Sequence, residues 1–228
     1  MERLLAVQAQ DPRGARLAIR ARTVGLSAAG VDRALTEDRS LCISWLCRRT
    51  LHLVRREDHG WLQVLTTPPL HTGNTRRLAQ EGVTPDAAER GVAVIARSLA
   101  GGPLTRDQLR ERIRAAGVRT EGQALVHLLE LASLRGLILR GPVVDRRHAF
   151  VLVRDWFGEP EPVDRDTALA ELARRYLAGH GPASDRDLAK WSGLPLRDVR
   201  RGLSAIASEL DDRGDGLVDL AGRARVEE

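Results

Sequence analysis

The chain has 228 residues, room for one large domain or several small ones, and 36 basic against 31 acidic residues give it a net charge of +5. Nearly all the positive charge is arginine, since Lys190 is the lone lysine. A guanidinium fork matches phosphate and guanine edges, but GC-rich coding also loads a chain with arginine, so position carries more than number. Cys42 and Cys47 are too few for a disulfide scaffold and sit in no metal-ligand spacing. With no signal peptide and no apolar run of about twenty residues, the expectation is a soluble, reduced, cytoplasmic protein.

The first element is Val7-Gln8-Ala9-Gln10-Asp11, which runs into Pro12-Arg13-Gly14-Ala15-Arg16. Pro12 biases Asp11 away from the helical region, so the segment is predicted to be extended, with Gln8 and Gln10 on one side. Asp11 is then placed to cap a helix that opens on Pro12 and continues to Arg22. That helix carries Arg13, Arg16 and Arg20 along one stripe, with Ala15, Ala18 and Ile19 opposite. Ser27 caps a second helix through Val31 and Leu35. Leu41 to Cys47 and Thr50 to Val54 read as two strands joined across Arg48-Arg49, a hairpin tip suited to clamping a DNA backbone. Exposed arginine pairs are common on any surface, so a solvated tip is the other reading.

Further along, Gly102-Pro103-Leu104-Thr105-Arg106-Asp107-Gln108-Leu109 is echoed by Gly181-Pro182-Ala183-Ser184-Asp185-Arg186-Asp187-Leu188. Each copy is followed by a helical pattern and a short strand, Gly136-Leu137-Ile138-Leu139-Arg140 and Gly216-Leu217-Val218-Asp219-Leu220. In the middle copy Thr120 and Gln123 are placed for a capping box. Leu125, Leu128, Leu129 and Ala132 form the buried stripe, and His127 and Glu130 fall on the exposed side. Arg140, Arg146, Arg147 and His148 lie on or beside its hairpin around Pro142, which either reaches into a groove or is simply solvated.

The last copy is the clearest. Ser184 and Asp187 open a helix through Leu188 and Trp191, Gly193-Leu194-Pro195 turns the chain, and the next helix buries Val199, Leu203 and Ile206. Its other face shows Arg197, Arg200, Arg201 and Ser204, a DNA-reading surface or a solvated face with equal warrant. The predicted fold is therefore mainly α with short β-hairpins (α+β), built from tandem winged-helix (helix-turn-helix) motifs. Residues 1–84 form an incomplete N-terminal unit containing the glutamine motif, lacking the helix that should precede it; 85–158 form a second unit and 159–228 a third.

Leu5-Ala6-Val7-Gln8-Ala9-Gln10-Asp11, Arg13, Arg16-Leu17-Ala18-Ile19-Arg20, Trp45-Leu46 and Arg48-Arg49-Thr50-Leu51-His52-Leu53-Val54 together resemble the bacterial winged-helix DNA glycosylases of the AlkZ and YcaQ type, and the resemblance covers essentially the whole chain. It implies that Gln8 and Gln10 are the catalytic Gln-x-Gln pair of enzymes that remove N7-alkylated guanines, several of which unhook interstrand crosslinks. The residue types suit that chemistry. An N7-alkylated guanine is cationic and leaves as a neutral base, so the enzyme needs little acid catalysis. An amide oxygen can accept from the attacking water, and an amide NH2 can hold the substrate in register. Asp11 either caps its helix or adds electrostatic stabilisation to the cationic sugar.

The DNA-binding set read from the sequence is Arg13, Arg16, Arg20, Arg48, Arg49, Thr50, His52, Arg197, Arg200 and Arg201, with His52 secondary because a single strand histidine is more often structural. Relatives commonly carry arginine where Ile43 stands and glycine where Arg49 stands. They also have more chain before the glutamine motif and after the third unit, so a homologue shortened at both ends is expected. The implied partner is double-stranded, damaged DNA. No metal, cofactor or membrane is implied, and a monomer in the cytoplasm, associated with the nucleoid, is expected. A non-catalytic winged-helix regulator, reading sequence through Arg197 to Ser204 and indifferent to Gln8 and Gln10, is the alternative. An inactive shortened homologue is the third.

Overall fold

Helix starts follow the side chains able to cap them. In the computed structural model, which describes residues 2–145, 147–159 and 161–223, β1 (Ala6–Gln8) leads into α1 (Pro12–Arg20) and α2 (Ala28–Thr36). Asp11 accepts hydrogen bonds from the amides of Arg13 and Gly14, Pro12 takes the first helical turn, and Ser27 accepts from Gly30. β2 (Leu41–Trp45) and β3 (Leu51–Arg55) follow as a hairpin, then α3 (Arg56–Thr66) and α4 (His71–Gln80). Next come α5 (Pro85–Leu99), β4 (Leu104–Thr105), α6 (Arg106–Ala115), α7 (Ala124–Leu134), β5 (Ile138–Val144) and β6 (Arg147–Leu152). After α8 (Val153–Phe157) the chain ends in α9 (Arg165–His180), α10 (Asp185–Ser192), α11 (Leu196–Ala205), β7 (Leu210–Gly214) and β8 (Leu217–Leu220).

Reciprocal capping boxes form at Thr105 with Gln108 and at Ser184 with Asp187. The box expected at Thr120 and Gln123 does not. Thr120 is buried ahead of α7, and the amide of Gln123 donates instead to the carboxylate of Glu81 just past α4, at 3.0 Å. A neighbouring helix end supplies the acceptor that the local sequence was expected to provide.

The order helix, short strand, helix, helix, hairpin is that of a winged helix, and it occurs twice in full. In α5 to β6 the short strand β4 pairs with β6, and in α9 to β8 Ala183 bridges Val218. The N-terminal segment repeats the pattern from its short strand onward: β1 pairs antiparallel with β3, Gln8 opposite His52. The first two hairpins are not free wings. β2 and β5 join edge to edge at Ile43 and Arg140, so one six-stranded antiparallel sheet runs β1-β3-β2-β5-β6-β4.

Alternation then sends the side chains of that sheet into two cores. Ile43, Trp45, Leu51 and Leu53 enter the core formed with α1, α2 and α4 to α7, while Cys42, Leu46 and Val54 enter the one formed with α3 and α9 to α11. Helix α7, expected to bury one stripe, is buried almost throughout because it lies inside the first core. In the last unit Val199 and Ile206 are buried, and Gly202 lets α11 approach α9 so closely that a Cβ there would lie 2.4 Å from the Leu169 carbonyl oxygen.

Candidate nucleic-acid interface and active site

The glutamine segment is held as the outermost strand of the sheet. Ala9 is fully buried, and Gln8 and Gln10 on either side of it are exposed, so both amides face outward as the extended reading requires. The amide of Ala9 donates to the Leu51 carbonyl at 2.7 Å, and the Gln10 side-chain oxygen accepts from the Leu51 amide at 3.1 Å. Gln10 thus anchors the segment to the first hairpin through its oxygen, with its NH2 remaining to donate. Among the described residues no hydrogen bond engages the Gln8 amide, which stays available to a water or a substrate.

Asp11 spends both carboxylate oxygens on the start of α1, at 3.2 Å to Arg13 and 2.8 Å to Gly14. Beneath the strand, Gln8, His52 and Ser44 stand opposite one another across β1, β3 and β2, and Ser44 shares a hydrogen bond with Ser133 at 3.0 Å. His52 is buried, and burial pushes its pKa down to about 4. The ring is therefore neutral at physiological pH. With Nδ1 donating to the Thr50 carbonyl at 3.0 Å, Nε2 is left as an acceptor. A phosphate contact, which would use a charged or donating imidazole at the surface, does not fit this placement.

The hairpin tip was expected to be an exposed arginine pair, and the structure separates the two. Arg48 is exposed but leans on the third unit, donating to the Lys190 carbonyl at 3.3 Å. Arg49 turns inward and grips Glu130 of α7 with both arms, at 2.7 and 2.8 Å. Glu130, read from sequence as exposed, is only 2% exposed and also accepts from Asn74 and His127. Burial alone would raise its pKa, but the bonds from Arg49, His127 and Asn74 outweigh that and hold the carboxylate ionised. Arg49 is thereby spent on the interior and is not free to clamp a backbone. It also stands where the resemblance expects glycine, and its φ of 64° is the left-handed region that glycine favours. Thr50, next to it, donates its hydroxyl to the Cys47 carbonyl at 3.1 Å.

Of the α1 stripe, Arg13 and Arg20 are exposed, whereas Arg16 is half-buried and paired with Asp32 of α2. On α11, Arg197 is exposed and bonded only weakly to its neighbour Asp198, while Arg200 and Arg201 pair with Asp185 and Asp166 at the surface. Such exposed pairs are worth about 0–1 kcal/mol and yield readily to a phosphate. In the middle unit Arg146 lies outside the described residues. Arg140, read as lying on or beside the wing, is in its first strand β5, at the junction with β2 and packed against the rings of Trp45 and Phe150. Arg106, the first residue of α6, was not singled out from sequence. Its signal was its place directly after the Gly-Pro-Leu-Thr turn. Among the described residues no cluster of metal-ligating side chains occurs, and no helix is long and apolar enough to cross a membrane.

The chain is 29% identical over 237 residues to an interstrand DNA cross-link repair glycosylase of Streptomyces sahachiroi, covering 97% of this chain and 61% of that protein. It superimposes on the solved structure of the DNA glycosylase AlkZ from Streptomyces sahachiroi with a TM-score of 0.73 at 26% identity, covering 96% of this chain and 62% of that one. The chain thus spans about three fifths of the length of the relatives it matches. The family model described as DNA glycosylase AlkZ-like matches residues 1–228. The chain belongs to the AlkZ-like DNA glycosylase family.

Proposed function

We propose that this protein is a monofunctional DNA glycosylase that hydrolyses the N-glycosidic bond of N7-alkylguanine in duplex DNA, as monoadducts or as interstrand crosslinks. The observation that carries the reading is the pair of outward-facing amides on the sheet edge. Gln10 is fixed through its oxygen by the Leu51 amide, and Gln8 is uncommitted. In this scheme the Gln8 oxygen accepts from the attacking water, and the Gln10 NH2 donates to the sugar or phosphate and holds the nucleotide in register. The leaving guanine carries its own positive charge, so no acid is required. Asp11 serves as the helix cap and contributes at most a screened field.

The three winged-helix units, residues 1–84, 85–158 and 159–228, form the frame, with Arg13, Arg20, Arg48 and Arg197 as exposed cations facing DNA. The enzyme works as a monomer without cofactor, in the cytoplasm at the nucleoid. The relative described as an interstrand DNA cross-link repair glycosylase favours crosslinks as substrates.

The test is base release from duplex DNA carrying N7-methylguanine, comparing wild type with Gln8→Ala/Gln10→Ala. Release by the wild type that is lost in the variant supports the reading. Salt-sensitive DNA binding by both proteins without release by either overturns it and leaves a winged-helix binder.

A further inference from the structure

A second feature lies a short step along the chain from the glutamines. Between the first turn of α1, the first residue of α6 and the β5–β6 hairpin there is a cavity of about 270 Å3, walled by Pro12, Arg16, Arg106, Arg140, Arg147 and His148 with Phe150 behind. Four of these seven residues are arginine, and none is acidic. Two of the guanidinium charges are already met from outside the cavity, Arg16 by Asp32 and Arg147 by Asp107 at 2.6 Å. Arg106 and Arg140 have no carboxylate partner among the described residues.

Arg140 is the unusual member. Its guanidinium carbon lies 5.1 Å from the centre of the Trp45 ring and 5.0 Å from that of Phe150, and its Nε is buried with no hydrogen-bond partner. Burial, then the nearby charge of Arg106, lowers its pKa to about 10, which still leaves it charged at neutral pH. His148 adds a second buried nitrogen without a partner, Nδ1. A mostly buried cation facing one small cavity with no acid on its walls is costly unless something anionic completes it, and the neutral His148 ring beside it can donate to the same ligand in its Nδ1–H tautomer. Guanidinium forks match the tetrahedral oxygens of phosphate.

Placement names the source. Pro12 is two residues beyond Gln10 and four beyond Gln8, so at most about 7 Å of backbone separates the cavity wall from the one and about 14 Å from the other. Arg13, Arg106 and Arg147 are exposed around it, which suits a ligand that continues across the surface better than one that is swallowed whole. We infer that this cavity seats a single backbone phosphate of the DNA strand that presents the damaged nucleotide to Gln8 and Gln10. The choice of strand rests on the glycosylase reading. The phosphate seat itself does not.

The experiment measures binding of undamaged and N7-methylguanine duplexes by fluorescence anisotropy across a salt series, for wild type, Arg106→Ala, Arg140→Gln and the double variant. Because both arginines serve one phosphate, the slope of log affinity against log salt should fall by about 0.9 in the double variant, not by twice that. Arg106 is exposed, so Arg106→Ala keeps the test valid even where Arg140→Gln perturbs packing. A neutral methylphosphonate walked through the strand should weaken wild-type binding roughly tenfold at one position beside the lesion, and leave the double variant indifferent there.

Unchanged salt slopes in all variants would overturn the proposal. So would calorimetric binding of inorganic phosphate by wild type alone without any change in DNA slope, which would make the cavity a free-anion site. Since the undamaged duplex reports on the seat and base release on the chemistry, a reduced slope in a protein that releases no base would sink the glycosylase reading and leave the phosphate seat standing.

Discussion

The junction between short strand and second helix occurs three times in this chain, and the three copies do different things. In the second and third units it is closed upon itself. Thr105 exchanges hydrogen bonds with Gln108, and Ser184 with Asp187, so each polar side chain at the turn is returned to its own helix. In the first unit the residue three places after the cap is Gly14, which offers no reciprocal side chain, and Asp11 caps alone. The two residues that stand out are the amides upstream, Gln8 and Gln10, which are turned away from the core. At this junction, then, two copies close their polar side chains upon their own helices, and the first leaves two amides turned outward, where the proposed chemistry would need them.

Several substitutions test that contrast. The largest effect is expected beneath the site: Glu130→Ala removes the carboxylate shared by Arg49, Asn74 and His127, leaves a half-buried arginine uncompensated, and should cost about 3–5 kcal/mol in urea denaturation. If its stability stays within 1 kcal/mol of wild type, roughly the scatter of surface changes, then the inward anchoring of the first hairpin is wrong. Next, Gln8→Ala/Gln10→Ala should lower base release by about 100-fold or more, a figure typical of losing a donor that acts in the transition state. Folding stability should fall only by the roughly 1 kcal/mol of the Gln10 bond to Leu51.

An acid-stability profile comes third. Burial holds His52, His59 and His148 at pKa values of about 4. Each is neutral when folded but titrates near 6.5 once unfolded. The unfolded chain thus binds more protons between those values, and stability should be full above about pH 6.5 and decline toward pH 4, by on the order of 1–2 kcal/mol per histidine at pH 5. A flat profile across that window would mean that these rings are solvated.

Smaller effects separate the junctions themselves. Ser184→Ala should cost about 1 kcal/mol, the usual value of an N-cap. Asp11→Asn should cost about 0.5–1 kcal/mol, since asparagine keeps one acceptor oxygen for the cap and loses the other, and should leave base release within about twofold of wild type. A clear loss of release in Asp11→Asn would show that the carboxylate stabilises the cationic sugar and is more than a cap.

Much of this is legible in the sequence. The cap at Asp11, the extended glutamine segment, the hairpin across Arg48 and Arg49 and the Ser184 box all depend on residues within a few places of each other, so spacing alone specifies them. The middle unit misled for the opposite reason. The exposed face assigned to His127 and Glu130 supposed that α7 met solvent, but α4 and α5 cover it and its acid serves Arg49, which is 81 residues away in sequence. Arg140 and His148 were visible as basic residues near a wing. That they share a cavity with Arg106 and α1 was not, because the fusion of two hairpins across β2 and β5 has no local signature.

By itself, then, the sequence determined where most helices and strands begin, which stripes are apolar, and which short motif is held extended with its amides on one side. Each of these follows from hydrogen bonds and periodicities that close within a turn or two. Only the tertiary structure decided which charges are free and which are spent. That depends on which elements pack face to face, and an arginine on the surface differs from one held by a buried carboxylate only through a partner far away in sequence.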